Sequence, residues 1–107
     1  MFARILEFVP KFEKKDEFIK VMKNDVLPIL KKQTGFLEIL PFVPEEKTEK
    51  MVIVSLWAEK KHAEMYMREN FTTVERIVKP FLTTPITWHL YAVETTLCEH
   101  FEKAVAA

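Results

Sequence analysis

Residues 35–66 restrict the fold of this chain more than any other segment. An apolar run over residues 36–43 is followed by a charged loop and by a second apolar run, Met-Val-Ile-Val-Ser-Leu-Trp, over residues 51–57. Runs that are rich in β-branched and aromatic residues and bounded by turn residues are typical of β-strands. Residues 59–70 then take on a helical period. Two strands joined by a hairpin loop and followed directly by a helix predict a fold of the α+β class.

The rest of the chain supplies the remaining elements. We predict strands at residues 2–9 and 86–93, helices at residues 11–33 and 71–81, and a tail of weak helical character at residues 95–107. The resulting order, β-α-β-β-α-(α)-β, predicts a ferredoxin-like sandwich. At this length we expect one domain over residues 1–107, with its core in residues 2–94.

Two prolines and the one glycine predict local features. Pro28 lies inside the first helical pattern and lacks an N–H donor, so we expect a kink or break near Asp25. Gly35 follows that helix and fits the left-handed residue that ends many helices. Pro41 lies inside the second strand and cannot donate to a neighbour, which predicts that this strand is at an edge of the sheet.

Both faces of the predicted sheet are apolar. In the third strand, the alternating sets that begin at Met51 and at Val52 are both apolar, and the fourth strand shows a similar pattern. One face packs on the helices, and the other is a patch that a monomer rarely leaves exposed. We therefore expect a homodimer that packs sheet against sheet. The alternative is that the tail after Glu94 covers this face within one chain.

Composition excludes several classes of function. Sixteen basic and sixteen acidic residues give no net charge, which argues against nucleic acid and anionic membranes as partners. Arg4 and Glu7 interrupt the first apolar run, so it does not read as a secretory signal, and no run approaches the about 20 residues of a membrane helix. Cys98 is the single cysteine, and with His100 it makes too few ligands for a zinc site. We expect a cytoplasmic protein with no cofactor and no metal.

Three side chains are candidates for a catalytic site. Trp57, where a strand meets a helix, could stack on a flat substrate, and Tyr66 on the next helix could point its hydroxyl into the same cavity. His89, inside the fourth strand, is the candidate general base because His titrates near neutral pH. Each also has a plain structural interpretation: two core aromatic residues and a half-buried strand histidine. His62, beside two lysines, is expected to be solvated.

These features together resemble the antibiotic biosynthesis monooxygenase family of dimeric α/β-barrel proteins. The residues that carry the resemblance are Gly35, Phe36, Trp57, Ala63, Tyr66, Phe71, Pro80 and Ile86. It covers residues 2–94 and implies a ferredoxin-like fold and a dimer. Members of the family include cofactor-free oxygenases of polycyclic phenols, haem-degrading enzymes and proteins that act on quinols.

Catalytic residues of two branches are missing from this sequence. The haem-degrading branch has an Asn within what are here residues 7–9, a Trp in place of Tyr66, and a His within what are here residues 70–80, and this chain has none of them. Haem degradation by that route is therefore not expected. The phenol-oxygenase branch has an Asn four residues before the strand Trp, where this chain has Ile53. Of that pattern only Trp57 is present.

Two hypotheses follow. The first is a cofactor-independent, monooxygenase-like enzyme that holds a small flat aromatic or quinonoid compound between the sheet and the helices. Trp57 and Tyr66 would position the ring, and His89 would take a phenolic proton. The second is a non-catalytic module of the same fold that binds a small hydrophobic molecule or serves only in dimerisation. A cavity filled by Phe and Met side chains would favour the second hypothesis.

Overall fold

The computed structural model describes residues 1–46 and 49–98. Its sheet has four strands: β1 (Phe2–Phe8), β2 (Phe36–Phe42), β3 (Met51–Trp57) and β4 (Thr87–Ala92). They lie in the order β2-β3-β1-β4, and all three neighbouring pairs are antiparallel. This order, with the helices in the two crossovers, confirms the predicted α+β ferredoxin-like arrangement.

The helices lie between β1 and β2 and between β3 and β4. They are α1 (Lys15–Val21), α2 (Leu27–Lys31), α3 (Lys60–Glu69) and α4 (Phe71–Val78). One π-helical turn, Met22–Val26, joins α1 to α2. A short 3₁₀ turn precedes α1 at Phe12–Lys14, and another follows α4 at Lys79–Phe81.

The predicted change in helix geometry near Asp25 is confirmed as the π-helical turn. Pro28 has no N–H to donate to the carbonyl of Asn24, so the α-helical ladder cannot continue there. The chain widens into the π turn immediately before this position and resumes as α2. The result is a bent helical crossover and not two separate helices.

Strand register assigns each strand residue to one of the two faces of the sheet. Neighbouring partners share a face, and alternate residues along a strand change face. The inner face packs on the helices and is formed by Phe2, Arg4, Leu6, Phe8, Phe36, Ile39, Pro41, Met51, Ile53, Ser55, Trp57, Trp88 and Leu90. The outer face carries Ala3, Ile5, Glu7, Glu38, Leu40, Phe42, Val52, Val54, Leu56, Thr87, His89 and Tyr91. None of these residues belongs to the buried core cluster, although Ala3 and Leu56 are themselves buried.

The core lies between the inner face and the four helices. Phe18 of α1, Val26 of the π turn and Leu30 of α2 are buried against it, as are Val74 and Val78 of α4. Phe12 and Ile19 are exceptions to the helical pattern. The pattern places both on the buried side, but they are 52% and 44% exposed. Phe12 belongs to the 3₁₀ turn, whose different period rotates it out of the α-helical stripe.

The edge position of β2 and the backbone of Gly35 were both predicted correctly. Pro41 lies in the edge strand β2, where a missing donor leaves no partner unsatisfied. Gly35 has φ 80°, in the left-handed region. Of the predicted tail, Thr95–Leu97 forms a 3₁₀ turn, and residues 99–107 lie outside the described residues. No helix in the described ranges is long and apolar enough to cross a membrane.

Candidate active site

Trp57 and Tyr66 meet on the inner side of the sheet. Their rings stack with centroids 5.1 Å apart and an interplanar angle of 28°. Trp57 is 0% exposed, and its indole Nε1 donates a 2.9 Å hydrogen bond to Ser55 Oγ. Because its one polar atom is already satisfied by the protein, Trp57 is not a free donor, and its stack on Tyr66 holds that ring in place.

His89 lies on the outer face, away from Trp57 and Tyr66. It pairs with Ile5 across the β1–β4 ladder, whereas Trp57 and Arg4 lie on the inner face. His89 is exposed, and its ring centroid is 6.3 Å from that of Tyr91. The expectation that His89 shares a cavity with Trp57 and Tyr66 is therefore corrected. It cannot take a proton from a ligand held between the sheet and the helices of the same protomer.

Arg4 is the functional candidate that the sequence analysis missed. Its side chain projects from β1 onto the inner face and is 1% exposed. Its Nε and Nη2 atoms are buried and have no hydrogen-bond partner in the described part of the chain. The sequence does show a charged residue, Arg4, between Phe2 and Leu6 of the first strand. Because both faces of the sheet are apolar, however, the sequence pattern does not reveal which face Arg4 occupies.

Aromatic rings surround the Arg4 guanidinium. Its Cζ atom lies 4.0 Å from the ring centroid of Phe71, 5.6 Å from that of Tyr66 and 5.8 Å from that of Trp88. Such cation–π contacts offset part of the cost of burying the charge, but they satisfy none of the N–H donors. The guanidinium thus remains available to a ligand that brings acceptor oxygens.

Burial sets the protonation states of the site. It lowers the pKa of Arg4 to about 10, so the guanidinium stays charged at neutral pH. Burial also raises the pKa of the Tyr66 hydroxyl to about 12, so Tyr66 stays neutral and keeps its proton to donate. The Glu75 carboxylate on the exposed side of α4 attracts Arg4, although no described salt bridge joins the two side chains.

A small cavity, the Arg4 cavity, lies beside these groups. Its volume is about 30 Å³, enough for one or two water molecules. Arg4, Ser55, Tyr66 and Phe71 line one end. The other end is lined by Leu6, Phe8, Phe18, Met22, Val26, Leu30, Ile39, Ile53, Val74, Val78 and Ile86. Aliphatic side chains, together with Phe8, Phe18 and Met22, therefore line most of this cavity.

A larger apolar groove, the outer groove, opens between the π turn and the edge strand β2. Despite its name, it lies on the inner face of the sheet, at the outer end of the space beside the helices. Its volume is about 270 Å³. It is lined by Ile19, Met22, Lys23, Leu27, Ile39, Pro41, Val43, Met51 and Ile53. Met22, Ile39 and Ile53 line both the groove and the Arg4 cavity. The two spaces therefore adjoin at these three side chains.

The chemistry that this site allows is narrow. Its described lining holds one cation, one neutral hydroxyl donor in Tyr66, the Ser55 hydroxyl and aromatic walls. No carboxylate and no histidine lines the cavity in residues 1–46 and 49–98. In the same ranges, no three His, Cys, Asp or Glu side chains lie close enough together to hold a metal ion. The arrangement can bind and stabilise an anion, but it supplies no side-chain base.

Comparisons with known proteins agree on the family. The family model described as antibiotic biosynthesis monooxygenase matches residues 1–74. No curated protein sequence matches this chain. A mutant of SnoaB, a cofactor-independent oxygenase from Streptomyces nogalater, is similar in structure. Its TM-score is 0.74 at 15% identity, and the alignment covers 91% of this chain and 96% of that one.

Two further solved structures are similar at comparable levels. One, described as an antibiotic biosynthesis monooxygenase, gives a TM-score of 0.69 at 16% identity and covers 87% of this chain and 98% of its own. The other is a conserved protein from Methanosarcina mazei, with a TM-score of 0.69 at 18% identity, covering 88% and 94%. At these identities the structural matches show the shared fold alone.

Proposed function

The chain belongs to the antibiotic biosynthesis monooxygenase family, and we propose that it is a cofactor-independent, monooxygenase-like enzyme acting on a small flat phenolic or quinonoid compound. The observation that carries this proposal is the buried, unpaired guanidinium of Arg4 among aromatic rings. The structural similarity to an oxygenase described as cofactor-independent supports the same reaction class.

Arg4 supplies what direct oxygenation needs, which is a stabilised substrate anion. A phenolate or enolate is electron-rich enough to reduce dioxygen, whereas the neutral phenol is not. In an anthrone the ring CH₂ becomes a carbonyl. One oxygen atom enters that carbonyl, the other leaves as water with both hydrogens, and the substrate supplies every electron. A fixed cation in a site shielded from water favours the anion strongly.

Tyr66 would position the substrate ring, and Trp57 would hold Tyr66 in place. The neutral Tyr66 hydroxyl can donate to the substrate oxygen, whereas Trp57 stacks on Tyr66 and is not among the residues that line the cavity. No base lines the described cavity, so the substrate must lose its proton to solvent before or during binding. His89, on the outer face, has no part in this step.

Oxygen uptake with a panel of anthrones and hydroquinones tests the proposal. We expect turnover by the wild-type protein and a rate at least about 100-fold lower in Arg4→Gln, which removes the charge. Arg4→Lys should retain part of the activity, and His89→Ala should match the wild type. Absence of uptake with every compound, or an undiminished rate in Arg4→Gln, would contradict the proposal.

The second candidate function is a non-catalytic module that binds a small hydrophobic molecule. The small volume of the Arg4 cavity and its mostly apolar lining favour this function over an enzyme. Saturable binding of the same phenols without oxygen uptake would select it. Uptake that depends on Arg4 would exclude it.

The apolar outer face supports a further part of the proposal, a homodimer that packs sheet against sheet. Val52 and Val54 are half-buried there, and Phe42 and Tyr91 are more than half exposed. A patch of this kind is typical of an interface. A cytoplasmic location is also proposed, and it rests on the sequence alone.

A further inference from the structure

The Arg4 cavity and the outer groove adjoin at three shared lining residues, Met22, Ile39 and Ile53, so the cavity is the inner end of the site and the groove is its outer end. The inner end holds a cation whose Nε and Nη2 have no described partner. The outer end is apolar apart from Lys23 at its rim. The groove alone offers about 270 Å³, near the lower limit of small-molecule sites.

Arg4 does not have the contacts of a structural arginine. A buried structural arginine pairs with a carboxylate or donates to carbonyl groups, because an unpaired buried charge is costly. The described ion pairs do not include Arg4, and Glu75 acts on it only at a distance from the exposed side of α4. An unpaired, buried and charged donor that faces a cavity indicates a ligand with an anionic oxygen.

We propose that the site takes an amphipathic monoanion, with a phenolate, enolate or carboxylate oxygen at Arg4 and an apolar body in the outer groove. This inference rests on the proposed function for the location of the site, and it narrows the ligand class. The body passes the shared residues Met22, Ile39 and Ile53. A polar substituent opposite the acidic group is disfavoured, because Lys23 is the one charged or polar side chain that lines the described groove.

The π turn provides the passage between the two ends. Met22 is the first residue of that turn and lines both spaces. Methionine is unbranched and changes rotamer easily, so the passage opens by movement of one side chain without unfolding of the crossover. A π turn also widens the helix locally, and such turns are frequent at functional sites. Lys23 at the rim attracts an approaching anion.

Binding of three simple compounds tests the ligand class without any reaction. Naphthoate carries a carboxylate on a two-ring body, naphthamide is its neutral counterpart of the same shape, and benzoate lacks the second ring. Trp88→Phe leaves Trp57 as the only tryptophan, so quenching of its fluorescence reports on the site. We expect naphthoate to bind at least about tenfold more tightly than naphthamide, and more tightly than benzoate.

Variants test separately the role of the Arg4 charge and the role of the outer groove in binding. Arg4→Gln should abolish the preference for naphthoate over naphthamide, and Arg4→Lys should restore part of it. Leu27→Glu places a like charge in the outer groove and should weaken naphthoate binding, whereas Met65→Glu, on the exposed side of α3, should not. Equal affinity for naphthoate and naphthamide, or for naphthoate and benzoate, would overturn the inference even if no Arg4 variant folds.

The two proposals can fail separately. Naphthoate carries no phenol and is not a substrate, so its binding does not depend on turnover. If the protein binds anions selectively but takes up oxygen with no anthrone, the proposed enzymatic function is wrong and the proposed ligand class is still supported. Oxygen uptake in a protein that binds naphthoate and naphthamide equally contradicts the ligand class alone.

Discussion

Arg4 is a charge that the fold buries without a partner, and this has a measurable consequence for stability. Burial lowers its pKa from 12.5 to about 10, which corresponds to a folding penalty of about 3 kcal/mol. Replacing buried charges by apolar side chains of similar size is often stabilising. Residues kept for function commonly oppose stability in this way.

We expect Arg4→Met to raise the free energy of unfolding by about 1–3 kcal/mol. Methionine replaces the apolar stem of arginine as far as Nε, and it removes both the charge and the unsatisfied N–H groups. Urea denaturation measures the change, and Arg68→Met, at an exposed position of α3, should stay within about 0.5 kcal/mol of the wild type. A loss of stability in Arg4→Met would show that Arg4 has a structural role.

At high pH, the contributions of Arg4 and Tyr66 to the free energy of unfolding change in opposite directions as pH rises. Between about pH 10 and 12, Tyr66 loses its proton in the unfolded chain but keeps it in the fold, so its contribution to stability falls as pH rises. Over the same range Arg4 is deprotonated more readily in the fold, so its contribution rises.

Removing Tyr66 should therefore change the pH dependence of stability. We expect the free energy of unfolding of Tyr66→Phe, relative to the wild type, to increase from about pH 10 to about pH 12. Urea titrations at several pH values measure it. A constant difference across this range would contradict the burial of the Tyr66 hydroxyl.

Individual residues show which placements could be predicted from the sequence and which could not. Trp57 and Tyr66 were predicted to lie near one another, and they stack. His89 and Arg4 needed the phase of the strands, which an alternating pattern reveals only when one face is polar. Here both faces are apolar, so the pairing of Ile5 with His89 and of Arg4 with Leu90 had to come from the structure.

At the scale of elements, local chemistry made the sequence informative. The bounds of β3 were predicted correctly, because its β-branched run ends where the helical period begins. Pro28 and Pro41 act through a missing donor, which does not depend on tertiary context.

Phe12 and His62 were placed wrongly. The 3₁₀ turn rotates Phe12 outward, and the His62 side chain is only 14% exposed, because it packs against Gly35 where β2 begins.

The contact between Gly35 and His62 gives a prediction for the junction of β2 and α3. Gly35 has φ 80°, and a Cβ there would overlap the His62 ring. We expect Gly35→Ala to lower the free energy of unfolding by about 2–4 kcal/mol, of which about 1–2 is backbone strain. Gly35→Ala with His62→Ala should recover the steric part, as measured by urea denaturation. A double variant no more stable than Gly35→Ala alone would contradict this contact.

For the whole molecule, the decisive question is what covers the outer face. A standard interface buries about 800 Å² per partner, and at about 25 cal/mol per Å² this is a gross gain near 20 kcal/mol before association costs. The sequence predicted the two-faced sheet. The alternative, cover by the tail, falls on residues 99–107, outside the described residues.

A charge on the outer face should dissociate the proposed dimer. Val54→Glu puts an unpaired carboxylate at the half-buried centre of that face, so we expect a monomer or an unfolded chain at micromolar concentration. Met65→Glu, on the exposed side of α3, should leave assembly unchanged. Sedimentation equilibrium measures both, and a folded wild-type monomer would contradict the dimer.

The central claim is that Arg4 stabilises the anionic oxygen of a phenol whose ring lies in the adjoining outer groove. The most direct measurement is the pKa of a bound naphthol, read from the absorbance of its anion during a pH titration of the complex. We expect the wild-type protein to lower the pKa of the naphthol by at least about one unit, and Arg4→Gln to abolish that decrease. A naphthol whose pKa is unchanged or raised on binding to the wild-type protein would contradict the claim.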